Sequence, residues 1–275
     1  MTRALVLGGG GVTGVAWELG VVEGLRRAGV DLGDADVVFG TSAGSVVGTR
    51  LRLGTIAEAF EEQLADASGE IAAKIGTRTM IKLVVMMSRR TDEATKFKKI
   101  GKASRETKTV TAAERREVIR TRVGDPEWPA GDLRITAIDI DNGRLEIFDR
   151  TSGVSVLDAV SASCAVPLVW PPVTINGTTY VDGGARSPVN ADLAGGGDVA
   201  VVIAPMPDAV SKEHHLDKQL ERAGFDAHVS VVPDKDATEE MGSNSLDPTR
   251  RRPSAEAGLR QGLAAAGAVA ALWNR

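Results

Sequence analysis

Ser42 lies in Gly40-Thr41-Ser42-Ala43-Gly44, with Val37-Val38-Phe39 before it and Ser45-Val46-Val47 after it. A Gly-x-Ser-x-Gly stretch between an apolar strand and a helix holds its serine on a sharp bend, hydroxyl outward. Side chains at Gly40 or Gly44 would crowd that bend. The chemistry that fits is nucleophilic attack on a carbonyl. A serine hydroxyl is a weak nucleophile at neutral pH, so it needs a base and a site for the oxyanion. The competing reading is plain: Ser42 as a helix N-cap and nothing more.

The oxyanion site has a candidate in Gly8-Gly9-Gly10-Gly11, which follows the apolar run Ala4-Leu5-Val6-Leu7. Bare backbone N–H groups at the start of a helix suit a developing negative charge. Ala43 N–H, directly after the serine, is a further donor. Gly9-Gly10-Gly11-Val12-Thr13-Gly14 also fits the Gly-x-Gly-x-x-Gly dinucleotide fingerprint. That fingerprint expects an acidic residue at the end of the second strand. Here the second strand runs into Gly40-Thr41-Ser42, and Asp34 and Asp36 precede it.

The base is harder to find. The three histidines are His214, His215 and His228. His214 and His215 sit in a charged run that reads as an exposed helix start. His228 opens a run that reads as a buried strand. A triad histidine belongs on a loop at the catalytic edge, so none of the three is well placed. Asp182 is the stronger candidate, because it ends the strand-like run Thr178–Val181 and precedes Gly183-Gly184. A shielded carboxylate beside a serine can accept its proton. Asp-Gly is equally a common turn dipeptide.

These residues need a scaffold. Ala4–Leu7 and Val37–Phe39 read as strands buried on both faces, with a helix carrying Val15, Leu19, Val22 and Leu25 between them. That is a βαβ unit with parallel strands. A helix follows from Ala43 to about Leu53, and Thr55 caps another. Asn142-Gly143 and Asn176-Gly177 predict two hairpins, joining Leu133–Ile140 to Arg144–Phe148 and Val173–Ile175 to Thr178–Val181. A helix is expected over Val156–Cys164. Val199–Ile203 and His228–Val232 read as buried strands, and Lys212–Ala223 and the tail from Ser254 as helices. The fold class is therefore α/β: a three-layer sandwich with a central, mainly parallel sheet flanked by helices.

The composition is that of a globular protein, 43% hydrophobic and 25% charged, with a formal net charge of -4. Nothing in that balance points to nucleic acid. The single cysteine, Cys164, forms no internal disulfide and fits a reducing compartment. No apolar run is long enough for a signal peptide or a membrane span. The expectation is one domain over 1–275, cytoplasmic or peripheral to a membrane. Within it, 70–125 stands out as a helical, basic lid or surface insertion. Eleven Lys and Arg residues lie between Lys74 and Lys108, against Asp92, Glu93 and Glu106. Met80–Met87 in that stretch reads either as a core helix or as one that covers the site and touches anionic lipid.

Taken in order, three motifs resemble the patatin-like phospholipase family. They are the glycine loop Gly9–Gly14, the elbow Gly40–Gly44 and Asp182-Gly183-Gly184. Ser161–Pro167 and Trp170-Pro171-Pro172-Val173 are also similar to it, and the likeness covers roughly 4–204. The resemblance implies a Ser42–Asp182 dyad without histidine, metal or cofactor. It implies that Ser42 attacks a lipid acyl ester while Asp182 takes the proton and later activates water. Backbone N–H groups of Gly9, Gly10 and Gly11 would hold the oxyanion. One position departs from the pattern: Thr13 stands where the family often has Arg or Lys. Two other readings remain at this stage, a histidine-dependent α/β-hydrolase and an inactive lipid-binding module.

Overall fold

The computed structural model describes residues 1–65, 69–73, 76–88 and 91–274. Lys74, Arg89 and Arg90 of the basic stretch lie outside the described residues, and of Met80 only the backbone is described. In chain order the strands are β1 (Arg3–Leu7), β2 (Val37–Thr41), β3 (Asp132–Asp139), β4 (Arg144–Phe148), β5 (Val173–Ile175), β6 (Thr178–Asp182), β7 (Val199–Ile203) and β8 (Ala227–Val231). The helices are α1 (Gly11–Arg27), α2 (Ala43–Arg52), α3 (Ile56–Leu64), α4 (Thr77–Met87), α5 (Glu93–Glu106), α6 (Ala112–Val123), α7 (Val156–Ser163), α8 (Leu216–Ala223), α9 (Lys235–Met241) and α10 (Arg251–Trp273).

The hydrogen-bonded path through the sheet is β5-β6-β3-β2-β1-β7-β8, with β4 also on β3. Strands β3, β2, β1, β7 and β8 are mutually parallel, while β4 and β6 run antiparallel to β3. The register around β3 matters most. Residues Asp132–Thr136 pair with β2, and Ile135–Asp139 pair with β4. Ala137–Asp139 pair with β6 as well. A strand has only two hydrogen-bonding edges, and β4 fills one of them over Ala137–Asp139. Strand β6 therefore shares the edge used by β2 and continues it. The two run toward each other, so the last residue of β2, Thr41, and the last of β6, Asp182, meet beside Thr136 and Ala137.

Why these elements form is readable from their residues. The strands β1 and β7 are apolar throughout and fully buried apart from Arg3, as expected at the centre of a sheet covered on both faces. One face carries α1, α2, α7 and α10 in the main core, with Leu5, Leu7, Val38, Leu133 and Val201 beneath them. The other face packs Val6, Phe39 and Val202 against Leu216 and Leu220 of α8. Helix α6 begins at a capping box, Thr111 with Glu114, and α5 at Asp92, which accepts from Thr95 N–H.

Helix α1 meets α10 with almost no separation. A Cβ on Gly258 would lie 2.1 Å from Trp17 O, and one on Gly262 2.2 Å from Val21 O. Bare backbones let the helices touch, and Trp17 Nε1 donates to Gln261 Oε1 at 2.8 Å across the seam.

Two expectations need correction. The β8 run, read as buried, alternates between partly covered and exposed side chains, because it is the last strand on its edge. The Lys212–Ala223 helix is shorter: residues Lys212–His214 form a 3-10 turn and the α-helix starts at Leu216. Among the described residues no helix is long and apolar enough to cross a membrane.

Candidate active site

Ser42 occupies the turn between β2 and α2 with φ 52° and ψ −111°. A non-glycine residue at positive φ is strained, and such strain persists only when neighbours over-determine it. Here they do. Ser42 N–H donates to Ser163 Oγ at 2.8 Å, and Ser42 C=O accepts from Ser45 Oγ at 2.6 Å and from Cys164 Sγ at 3.4 Å. The end of α7 thus clamps the bend. Gly44 allows the turn to close: a Cβ there would sit 2.1 Å from Leu7 O. Gly44 N–H also donates to Gly8 O at 2.8 Å, which joins the elbow to the glycine loop.

Asp182 is buried at the end of β6. Its Oδ1 accepts Gly184 N–H at 2.7 Å, and the Ser42 side chain lies near enough to its carboxyl to favour the ionised form. Burial pushes its pKa up to about 7, against the smaller lowering effects of Ser42, of Gly184 N–H and of the Arg115 charge. A carboxyl poised near neutrality suits a general base. Asn190 ties the two halves together, its Nδ2 donating to Thr41 Oγ1 at 3.2 Å and to Gly183 O at 3.3 Å.

The glycine loop divides its N–H groups. Gly8 N–H donates to Ile203 O at 2.9 Å and Gly9 N–H to Pro188 O at 2.7 Å. The expectation that Gly9 N–H serves an oxyanion is therefore corrected, since that donor holds the loop instead. Gly10, Gly11 and Ala43 N–H have no acceptor among the described residues. Gly11 opens α1 at φ 64°, with Ser245 O only 2.5 Å from where its Cβ would be. Gly14 lies inside α1, against Pro205 and Ala43. Gly183 abuts Thr136, leaving no space for a side chain. Gly40 packs against the backbone of Gly44 and Ser45 in the same way.

Ser42 and Asp182 open into a cavity of about 480 Å³. Leu83, Val84 and Met87 of α4 and Ile100 of α5 line one side, and Val166, Pro167, Pro205 and Met241 line others. Of the lining residues Val84, Met206 and Val210 also reach solvent. Helix α4 is therefore not a core helix: Ile81 is 57% exposed and Val85 47%. Thr13 also lines the cavity, and its Oγ1 is buried without a hydrogen-bond partner among the described residues.

No histidine lines this cavity. His214 is partly buried, its Nδ1 paired with Arg186 O at 3.1 Å, and burial lowers its pKa. His215 faces Asp208, and His228 is exposed on β8. Among the described residues, no group of three or more His, Cys, Asp or Glu could hold a metal ion.

Arg115 was not singled out by sequence. Buried on α6, it stacks over Trp170, Cζ 4.1 Å from the ring centroid. Its Nε and Nη1 have no acceptor among the described residues. Burial and the nearby Arg122 lower its pKa to about 10. The sequence signal available was the Thr111-Ala112-Ala113-Glu114 capping box, which places Arg115 and Val118 on one face of a helix.

A family model described as "Patatin-like phospholipase" matches residues 5–194. Among solved structures, VipD from Legionella pneumophila is 14% identical, with a TM-score of 0.49, over 97% of this chain and 67% of that one. The type III effector protein ExoU is 17% identical, with a TM-score of 0.42, over 97% of this chain and 53% of that one. The chain thus spans about two thirds of the first protein and about half of the second. No match was found among curated proteins. The family match takes in the glycine loop, the elbow, α4 to α7 and Asp182, well over half of the chain, and so the chain belongs to the patatin-like phospholipase family, a family of lipid acyl hydrolases.

Proposed function

We propose that the protein hydrolyses fatty acyl carboxyl esters of lipids through a Ser42–Asp182 dyad. The observation that carries this reading is the meeting of β2 and β6 end to end on one edge of β3, which brings both residues together without a histidine. Ser42 Oγ attacks the ester carbonyl while the Asp182 carboxylate accepts the hydroxyl proton. Gly10 and Gly11 line the cavity, Ala43 follows the nucleophile, and the N–H groups of all three have no acceptor among the described residues, which leaves them for the tetrahedral oxyanion. Collapse of the intermediate expels the alcohol, which takes the proton from Asp182, and leaves an acyl group on Ser42. Asp182 then draws a proton from water as it attacks the acyl-enzyme, and returns it to Ser42 Oγ as the acyl–oxygen bond breaks and the fatty acid leaves. The apolar walls of the cavity suit an acyl chain.

The test is a fluorophosphonate probe followed by intact mass and peptide mapping. A single adduct on Ser42, together with fatty acid release from a panel of phospholipids, glycerides and simple esters, is the expected result. No adduct and no hydrolysis would favour an inactive lipid-binding module.

The region 70–125 acts in this reading as a lid within a single domain. Helix α4 covers the cavity, and its exposed Ile81, Val84 and Val85 adjoin a basic α5 carrying Lys98, Lys99 and Lys102. An apolar surface beside basic side chains fits an anionic lipid surface. Sedimentation with vesicles containing phosphatidylserine should show binding that weakens as salt rises, because surface charge is screened. It should fall further in Ile81→Ser/Val85→Ser. Equal binding to uncharged vesicles at every salt concentration would exclude the charge contribution.

A further inference from the structure

A second cavity, of about 220 Å³, lies behind the oxyanion loop among α1, α2, α3, α6 and α10. Val12, Val15 and Val46 form one wall. The opposite wall is charged in an unusual way, with Arg50, Arg122 and Arg251 converging from three different helices. Among the described residues, Glu62 and Glu70 are the carboxylates that line it with them.

The hydrogen bonds use only part of this donor set. Arg122 Nε and Nη2 donate to Glu70 at 3.0 and 2.6 Å. Arg251 Nε donates to Gln63 Oε1 at 3.0 Å, and its Nη2 to Glu62 O at 2.6 Å. Arg50 Nη2 donates to Glu62 Oε1 at 2.8 Å, while its Nε is buried with no acceptor among the described residues. Of the donors on these three arginines, Arg50 Nε is the one that is both buried and unpartnered among the described residues. Among the described residues, three guanidinium groups thus face two carboxylates. Arg115, seven residues before Arg122 on the same side of α6, adds a further positive charge close to Glu70. Partly buried cations in excess are costly unless an anion compensates them. Converging, planar guanidinium groups match the geometry of a phosphate.

We propose that this cavity binds a phosphate-type dianion, either inorganic phosphate or the phosphate of a small monoester whose organic part rests on Val15 and Val46. The space is too small for a lipid's acyl chains, and it is separate from the cavity that holds Ser42. Bound there, the anion would fasten α2, which starts at the nucleophile, to α6 and α10.

Calorimetric titration with inorganic phosphate, at ionic strength held constant with sodium chloride, tests this directly and does not depend on turnover. Saturable binding is expected in the range up to about 10 mM, with a matching rise in Tm. Arg50→Gln and Arg251→Lys, on different helices, should each weaken binding about tenfold or more. Either variant alone suffices if the other fails to fold. A parallel arm uses vesicles of phosphatidic acid in phosphatidylcholine. Binding of phosphate that vesicles do not compete away identifies the free ion as the ligand. Arg50-dependent vesicle binding, displaced by phosphate, identifies the headgroup. Absence of saturable binding in both arms, or unchanged affinity in every folded variant, overturns the proposal.

Discussion

Replacing Ser42 with alanine is expected to lower ester turnover by roughly 10⁴-fold or more, with the fold kept. The fold survives because the strained bend is held by backbone groups, Ser42 N–H on Ser163 and Ser42 C=O from Ser45 and Cys164, and not by Ser42 Oγ. Asp182→Asn should cost a comparable factor. Asparagine has nearly the same shape and can still accept Gly184 N–H, so what it removes is the proton acceptor. The pH profile separates this from a structural effect. Asp182 works as a base only when ionised, so kcat/KM should rise with pH through about 7 and then level off. Residual activity in the Asp182→Asn protein should lack that rise. Thermal unfolding and circular dichroism check that both variants are folded. If the triple variant His214→Ala/His215→Ala/His228→Ala loses turnover while Asp182→Asn keeps it, the base has been misassigned.

A large effect on stability is expected at Gly262. Helix propensity alone would make Gly262→Ala favourable by about 1 kcal/mol. The new Cβ, however, would lie 2.2 Å from Val21 O and 2.9 Å from Val21 C. Both are backbone atoms that cannot rotate aside, so α10 must move off α1. Overpacking of that kind costs about 3 kcal/mol or more and outweighs the propensity gain. At roughly 2 to 4 °C per kcal/mol for a chain near this size, Tm should drop by about 5 °C or more. Gly267→Ala is the control. It lies on the same helix with nothing within 4 Å of its Cβ position, so the substitution should raise Tm slightly. If the two variants shift Tm in the same direction, the close helix contact is not what matters at Gly262.

Much of the scaffold is legible in the sequence because its central strands carry little ambiguity. Leu5-Val6-Leu7 and Val201-Val202-Ile203 can satisfy their burial only inside a covered sheet, and the two Asn-Gly turns fix the hairpins. The bounds of α5 and α6 are hidden in the sequence, because their charged residues mask an apolar face made by Phe97 and Ile100, or by Val118 and Ile119. Their caps, Asp92 and Thr111, were the usable signals. At the site, Ser42, Asp182 and the glycines stand out by local pattern. Whether a particular N–H is free does not. Gly9 and Gly10 look equivalent in sequence, and only the approach of Pro188 C=O commits one of them. Arg115 and Asn190 act through partners far along the chain, Trp170 and Thr41, and no local spacing reveals that.

The seam between α1 and α10 bears on when the protein becomes active. Helix α1 carries the glycine loop at its start, yet the helix that packs it into place is made more than 200 residues later. Strand β1, likewise, waits for β7 to become its second neighbour. Contacts of such long range form late, since the chain entropy of closing large loops must be overcome first. During synthesis on the ribosome, the elbow and the loop are therefore present well before they are held in register. A site assembled in this order is expected to be complete only once the helix that follows Arg250 has emerged.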